Sequence, residues 1–245
     1  MTKLLAALAF IILLALSTQV VAAGQGLDQL PFEKKLQLAK VGDPDARIAV
    51  AEAYEKGDGV ALSAAEAAKW YRQAALAGNM EAQFRLAKLV SKGAPGLKSD
   101  KPTAYKLFLT AAQKGHAPSQ NEVGLMLQNG VGITKDEKTA VDWYRKAADQ
   151  GLATAENNLG VMLLNAQGAA RSVDEAFKYF TRAAAQNDIW GLNNLGAMYQ
   201  KGWGTQTDIE KAKLYFKKAA DLGNETAKAN LAKLEVTDAA PAKAN

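Results

Sequence analysis

The chain has 245 residues, of which 49% are hydrophobic and 22% are charged, a composition typical of a folded globular protein. It contains no cysteine, which excludes disulfides and thiolate metal sites, and its single histidine, His116, excludes a histidine-cluster metal site. The net charge of +5 comes from interleaved basic and acidic side chains, and no arginine-rich block indicates binding to nucleic acid.

Residues 1–23 predict a signal peptide. Lys3 is followed by an unbroken apolar run from Leu4 to Leu16, and small residues precede Gly24. This pattern predicts export and cleavage after Ala23, with cleavage after Ala22 as the alternative. A retained membrane anchor is less favoured, because the apolar run is shorter than the roughly 20 residues that a spanning helix needs. We therefore expect a periplasmic or secreted protein that contacts the membrane only if this segment is retained.

The rest of the chain repeats one unit. A pair of alanines recurs at steps of 37, 36, 36 and 36 residues, as Ala74-Ala75, Ala111-Ala112, Ala147-Ala148, Ala183-Ala184 and Ala219-Ala220. An aromatic or apolar doublet lies just before each pair, at Trp70-Tyr71, Leu107-Phe108, Trp143-Tyr144, Tyr179-Phe180 and Tyr215-Phe216. Because several landmarks keep one register, the sequence indicates a repeat protein.

Each unit has the pattern of two helices joined by a turn. Ala67, Trp70, Tyr71 and Ala74 recur at the i, i+3, i+4, i+7 spacing of a helix face, and Gly57-Asp58-Gly59 marks the turn before that helix. No stretch alternates as a strand would. The sequence thus predicts five helix–turn–helix units, which must stack to cover their apolar faces.

The predicted boundaries follow from this register. A leader and capping helix occupy 24–44, and the five units span 45–225, as 45–80, 81–117, 118–153, 154–189 and 190–225. A capping helix follows at 226–235, and residues 236–245 are expected to form a flexible tail.

The fifth unit resembles the Sel-one-like repeat, a relative of the tetratricopeptide repeat. The similarity lies in Leu195-Gly196-Ala197-Met198-Tyr199, Lys201-Gly202-Trp203-Gly204 and Tyr215-Phe216-Lys217-Lys218-Ala219-Ala220. It extends over roughly 45–235, although unit two carries an extra residue near Gly93-Ala94-Pro95-Gly96 and unit four lacks the Gly-x-Gly turn. The resemblance implies an all-α fold, a right-handed α/α superhelical solenoid with a concave face. It also implies a role in assembling proteins in bacterial envelopes and signalling.

If the first helices line the concave face, as the resemblance to tetratricopeptide repeats implies, two positions per unit point into it. These are Ile48 and Glu52, Phe84 and Lys88, Asn121 and Leu125, Asn157 and Val161, and Asn193 and Ala197. An asparagine amide both donates and accepts, so this row would suit an extended peptide backbone. In the alternative interpretation the asparagines cap helices or bridge neighbouring repeats internally.

Other chemistry-bearing residues give weaker signals. His116 lies at a turn between units, and neither a nucleophile nor an orienting partner is indicated, so we predict a surface turn histidine. Trp190 and Trp203 depart from the repeat pattern and are candidate aromatic anchors, although each could fold over its own turn. Basic residues such as Lys178 on the second helices predict a solvated face, with contact to an anionic envelope surface as a weaker hypothesis.

Together these features favour a non-enzymatic periplasmic scaffold or regulator that binds segments of envelope proteins on its concave face. A peptidoglycan- or glycan-binding protein that stacks Trp190 and Trp203 on sugar rings is the alternative. An envelope hydrolase is less favoured, since the sequence indicates no catalytic residues. We expect no cofactor, no metal and no nucleic-acid partner.

Overall fold

The computed structural model describes residues 26–239, so the predicted signal peptide at 1–23 lies outside the described residues, as do residues 240–245. The described chain is helical apart from its turns and one isolated bridge between Ala94 and Leu97, and no β-strand occurs in it. No helix within 26–239 combines the length and the apolar character that a membrane span requires.

The helices alternate as the sequence predicts. A short 3-10 helix (Leu27–Gln29) and α1 (Phe32–Lys40) precede five pairs, and a final helix closes the chain. The pairs are α2 (Pro44–Lys56) with α3 (Ala64–Leu76), α4 (Met80–Lys92) with α5 (Lys101–Gln113), α6 (Ala117–Asn129) with α7 (Glu137–Asp149), α8 (Ala153–Leu164) with α9 (Val173–Ala185), and α10 (Ile189–Lys201) with α11 (Ile209–Asp221). The final helix, α12 (Glu225–Ala239), continues past the predicted end at residue 235. The predicted all-α solenoid fold is confirmed.

The described chain divides into two compact units. The first comprises residues up to Ser119 together with Val131–Ile133, and the second comprises Gln120–Gly130 and the residues from Thr134 onwards. Inside the first unit, α1, α2, α3, α4 and α5 pack in sequence, each against the next. Inside the second, α7 to α12 do the same. Inside each unit, these helices thus bury their apolar stripes against their neighbours in sequence, which is the packing of a repeat protein.

Side-chain caps define where the helices begin. Asp43, Asn79 and Asp188 precede first helices, and each accepts a hydrogen bond from the backbone N–H three residues on. Ser63, Asp100, Asp136 and Asp208 do the same for second helices. Because the first turn of a helix leaves N–H groups without partners, one short oxygen-bearing side chain at this position fixes the boundary.

The core is built from small residues that face large ones. The second residue of each predicted doublet is the buried one, with at most 2% of its surface exposed at Tyr71, Phe108, Tyr144, Phe180 and Phe216. The first residue of each doublet is only half-buried, because consecutive helical residues point about 100° apart. The paired alanines lie beside these rings and are buried almost throughout.

The turn of the fourth repeat, where the Gly-x-Gly signal is missing, is the irregular one. Ala166 has a φ of +56°, whereas the same position in other repeats is a glycine, such as Gly202 at +67°. An L-residue with a Cβ is disfavoured there, because its Cβ approaches the following carbonyl oxygen. Asn187 likewise replaces a glycine at a φ of +58°, but asparagine tolerates this conformation better than alanine does.

We expect Ala166→Gly to raise the free energy of unfolding by about 0.5–1 kcal/mol, because it relieves this left-handed strain. Chemical denaturation of the wild type and the variant measures the difference. Ala170→Gly, in the same loop but without a positive φ, is the control and should give no gain. An Ala166→Gly variant no more stable than this control would contradict the strain.

Candidate partner-binding surface

The predicted binding residues occupy two rows on the first helices, four residues apart within each helix. One row holds Ile48, Phe84, Asn121, Asn157 and Asn193, and the other holds Glu52, Lys88, Leu125, Val161 and Ala197. The residues on α2 and α4 belong to the first compact unit. Those on α6, α8 and α10 belong to the second unit, and the two parts of each row differ in chemistry.

In the second unit the row consists of asparagines that bond to one another. The Asn158 amide donates to Asn121 Oδ1 at 2.9 Å, and the Asn194 amide donates to Asn157 Oδ1 at 2.8 Å. The Asn230 amide on α12 donates to Asn193 Oδ1 at 3.2 Å. We call this set of bonds the asparagine ladder. It links each first helix of this unit to the first helix of the next repeat.

The ladder uses only part of each amide. Asn121, Asn157 and Asn193 are 7–8% exposed, and their oxygens accept the ladder bonds. Within the described chain, the amide nitrogens of Asn121 and Asn157 donate no hydrogen bond, yet they are not sealed from solvent. The asparagines therefore bridge repeats through their oxygens and keep donors available.

The second row of this unit is apolar. Leu125 is 40% exposed, and Val161 and Ala197 are partly buried. Each lies one helical turn beyond an asparagine of the ladder. An extended ligand on this face would thus meet amide donors beside a shallow apolar strip.

In the first unit the face is ionic. Arg85 donates to Glu81 at 2.6 Å and lies 3.4 Å from a Glu52 oxygen, which links α4 to α2. The Lys88 ammonium lies 5.6 Å from the centre of the Phe84 ring, and Ile48 is partly buried. Arg85 occupies the repeat position of Asn158 and Asn194. The alternative interpretation of the asparagines, a bridge between neighbouring repeats, therefore describes Asn158 and Asn194, whereas the sequence did not indicate this role for Arg85.

His116 precedes α6 and is mostly buried, although the sequence predicts a surface turn residue. Its side chain is 16% exposed, and its ring packs edge-on against Phe84 at 5.3 Å. Nδ1 lies 2.8 Å from the Ser119 hydroxyl, and Nε2 lies 3.5 Å from a Glu81 oxygen. The turn position is as expected, but the neighbouring Phe84 on α4 covers the imidazole.

The order Ser119, His116, Glu81 has the chemistry of a catalytic triad but not its accessibility. A nucleophile must be reached by its substrate, and Ser119 is fully buried. In addition, no cluster of three or more potential metal ligands occurs within 26–239. The three side chains therefore form a buried polar cluster at the beginning of α6.

The two candidate tryptophans differ. Trp190 lies at the beginning of α10 and is 57% exposed. No other aromatic residue occurs among the exposed large apolar side chains of the described chain. Trp203 is half-buried in its turn, and the ammonium of Lys201 lies 4.1 Å from its ring centre. Trp190 remains an available anchor, whereas one face of Trp203 is already occupied by a cation.

Stacked helix–turn–helix pairs with a polar row on the first helices define an α-solenoid repeat protein. The Sel1 repeat model matches residues 44–79, 81–116, 117–152, 153–188 and 191–224. The chain therefore belongs to the Sel1 repeat family. Each matched segment begins within one residue of a predicted repeat boundary.

Solved structures show the same fold. The chain is 31% identical to c5321, a protective antigen present in uropathogenic Escherichia coli strains displaying an SLR fold, with a TM-score of 0.77 over 86% of this chain. It spans only 45% of that protein's length. It is 28% identical to a Sel1 repeat protein from Oxalobacter formigenes, with a TM-score of 0.76, covering 87% of this chain and 84% of that one.

A more distant likeness shows the fold alone. The immunity protein Pa5087 from Pseudomonas aeruginosa is 22% identical, with a TM-score of 0.53, and the match covers 76% of this chain and 68% of that one. No functionally curated protein matches the chain.

We expect Asn157→Ala to lower the free energy of unfolding by about 1–2 kcal/mol, because it leaves the Asn194 amide without its acceptor. Asn157→Asp, which keeps an acceptor oxygen, should lose less. Asn129→Ala removes an exposed amide outside the ladder and is the matched control. Equal losses in urea denaturation for Asn157→Ala and Asn129→Ala would contradict a structural role of the ladder.

Burial lowers the pKa of His116 below its ordinary value of 6.5, and the nearby Glu81 carboxylate opposes this effect without reversing it. The unfolded state therefore binds the proton more tightly, so the histidine's contribution to stability is complete above pH 6.5 and decreases as pH falls toward the folded pKa. Because His116 is the only histidine, its proton NMR titration is unambiguous. A folded pKa at or above 6.5 would contradict the prediction, and Glu81→Gln should lower it further.

Proposed function

We propose that this protein is a non-enzymatic periplasmic scaffold that binds an extended segment of a partner protein along the concave face lined by its first helices. Sel1 repeat proteins typically serve as protein-interaction scaffolds and are generally non-enzymatic. The finer parts of the proposal are the location, the face and the form of the partner. The face and the form of the partner depend on the chemistry of the two rows, and the location depends on the pattern of residues 1–23.

The observation that carries the proposal is that the asparagine ladder pairs the amide oxygens of Asn121 and Asn157 but leaves their amide nitrogens without a hydrogen bond within the described chain. An extended segment offers backbone carbonyl groups that are not paired within the segment itself. The unpaired Nδ2 groups of Asn121 and Asn157 are donors, one in each of two successive repeats, that can meet such carbonyls. Recognition through the backbone would tolerate many partner sequences.

The ionic face of the first unit offers a chemically different surface. Lys88 is exposed, and its ammonium lies over Phe84 without an ion pair to a carboxylate of the described chain. An acidic or aromatic partner residue would complement this pair. A partner segment that contacts the first unit is therefore expected to carry an acidic or aromatic side chain.

The location is supported by the pattern of residues 1–23. Export would require cleavage, and the new amino terminus would be Gly24, or Ala23 for the alternative site. N-terminal sequencing of protein recovered from the periplasm should read from one of these residues. A chain that keeps Met1 and stays in the membrane fraction would contradict the proposed location.

Photo-crosslinking in cells tests the proposed face. We expect a photoreactive residue at Val161, on α8, to capture a defined envelope protein. The same probe at Lys178, an exposed position on α9 of the same repeat, should capture none or different species. Mass spectrometry identifies the adducts and the crosslinked peptide of the partner.

Each other outcome of this experiment has a clear meaning. A partner captured equally at Lys178 would move the site away from the first helices. Adducts that consist only of peptidoglycan fragments would favour the glycan-binding alternative, which the exposed indole of Trp190 makes chemically reasonable. In that case Trp190→Ala should abolish pelleting with isolated peptidoglycan, and Trp203→Ala should not.

A further inference from the structure

A lysine occupies a core position at the amino-terminal end of the first unit. Lys35 on α1 lies 36 residues before Tyr71, so it takes the register position that holds a buried aromatic ring in every repeat. It is itself only 6% exposed. An ammonium group at such a position is costly unless it is paired or binds something.

The protein does not satisfy this ammonium well. Its ion pair is with Asp58, at 3.9 Å, which is too long for a hydrogen bond, and the Asp58 side chain is 70% exposed. Within the described chain, Lys35 donates no hydrogen bond. Its Nζ is not sealed from solvent, so the three donors of the ammonium are open to a ligand that enters from outside.

Lys35 lines a cavity of about 400 Å³. The cavity lies between the 3-10 helix, α1, α2 and the turn after α2, and its walls carry Asp28, Glu52, Lys56 and Asp58. Glu52 is paired with Lys56 at 3.4 Å and with Arg85 at 3.4 Å. Asp28 forms no ion pair with another described residue, and Lys35 and Asp58 are joined only by the long 3.9 Å pair, so these three groups can still bind a ligand.

We propose that this cavity binds a small zwitterion of the α-amino-acid class. Lys35 would hold the carboxylate of the ligand, and Asp28 and Asp58 would hold its ammonium group. A simple anion would meet the repulsion of the acidic wall, and a simple cation would meet Lys35. A molecule that carries an ammonium and a carboxylate group on the same carbon atom satisfies both, and the cavity volume admits a free amino acid.

The site is independent of the proposed scaffold function, although Glu52 belongs to both surfaces. Loss of zwitterion binding would therefore leave crosslinking at Val161 unchanged. This separation distinguishes failure of one proposal from failure of the other.

Chemical-shift titration of the ¹⁵N-labelled protein tests the site with L-alanine as the probe. We expect saturable shifts at the backbone amides of Ala49, Ala53 and Asp58. Acetate and ethylamine each carry one of the two charges and should bind at least about tenfold more weakly, since each loses one charge-assisted contact. L-Alanyl-L-alanine shows whether the carboxylate of a peptide terminus is accepted as well as a free amino acid.

Variants separate binding from folding. Lys35→Met places an apolar side chain at a position that is apolar in every repeat, so it should fold and should weaken L-alanine binding at least about tenfold. Lys56→Met, on the same wall, is the matched control and should change the affinity less than about threefold. Asp58→Asn should weaken L-alanine binding while strengthening that of acetate.

Three results would overturn the proposal. One is the absence of saturable shifts with L-alanine. Another is acetate binding as tight as that of L-alanine, which indicates a simple anion site. The third is unchanged L-alanine binding in Lys35→Met, which would show that the lysine has only a structural role in α1.

Discussion

The close approach of a small residue to an aromatic ring is the contact on which the fold depends. An added Cβ at Gly160 would lie 2.7 Å from the ring of Phe180, and one at Gly196 would lie 2.8 Å from the ring of Phe216. In these repeats the two helices approach this closely because the first helix has no side chain at that point, whereas the first two repeats carry the small residues Ala51 and Ala87 there. The rings are completely buried as a result. This packing fixes the position of the first helix within its repeat, so the two rows of side chains stay in register from one repeat to the next.

Another inter-helix contact shows how much variation this framework tolerates. Gln150 donates to Gln120 at 2.7 Å, and Gln186 donates to Glu156 at 3.0 Å at the same position one repeat later. The fifth repeat has leucines at both positions, Leu192 and Leu222. A polar pair and an apolar pair both leave few buried groups without partners, so either is compatible with stacking.

In the second repeat, the polar contact at these two positions is incomplete. Lys114 replaces the glutamine, and its ammonium turns to the carbonyl of Gly78 at 3.3 Å. Gln83 Oε1 is left buried without a hydrogen bond, although its Nε2 still donates to Ala75. In the fourth repeat, by contrast, Arg182 lies 2.6 Å from the buried Glu156 and neutralises it. The repeats share a backbone plan, while their polar contacts differ from one repeat to the next.

The sequence predicted those features that recur in every repeat. The alanine pairs and aromatic doublets give the helix pairs, their order and the repeat boundaries, because one steric requirement acts at each of them. Features that depend on a single neighbour were not predictable. The burial of His116 depends on Phe84, which lies 32 positions earlier, and the spacing of the asparagines does not tell whether their amides face one another or a ligand. The cavity at Lys35 could have been suspected only by extending the register backwards into α1.

The asparagine ladder couples stability to the readiness of the surface for binding. Each ladder bond fixes the rotamer of an asparagine through its oxygen, so the amide nitrogen is held in place before any ligand arrives. A preorganised donor loses little side-chain entropy on binding, which offsets the modest strength of each single hydrogen bond. The same ladder requires neighbouring first helices to keep their register. In the second unit, therefore, the spacing of neighbouring first helices determines how well its row of donors matches the repeat of an extended backbone.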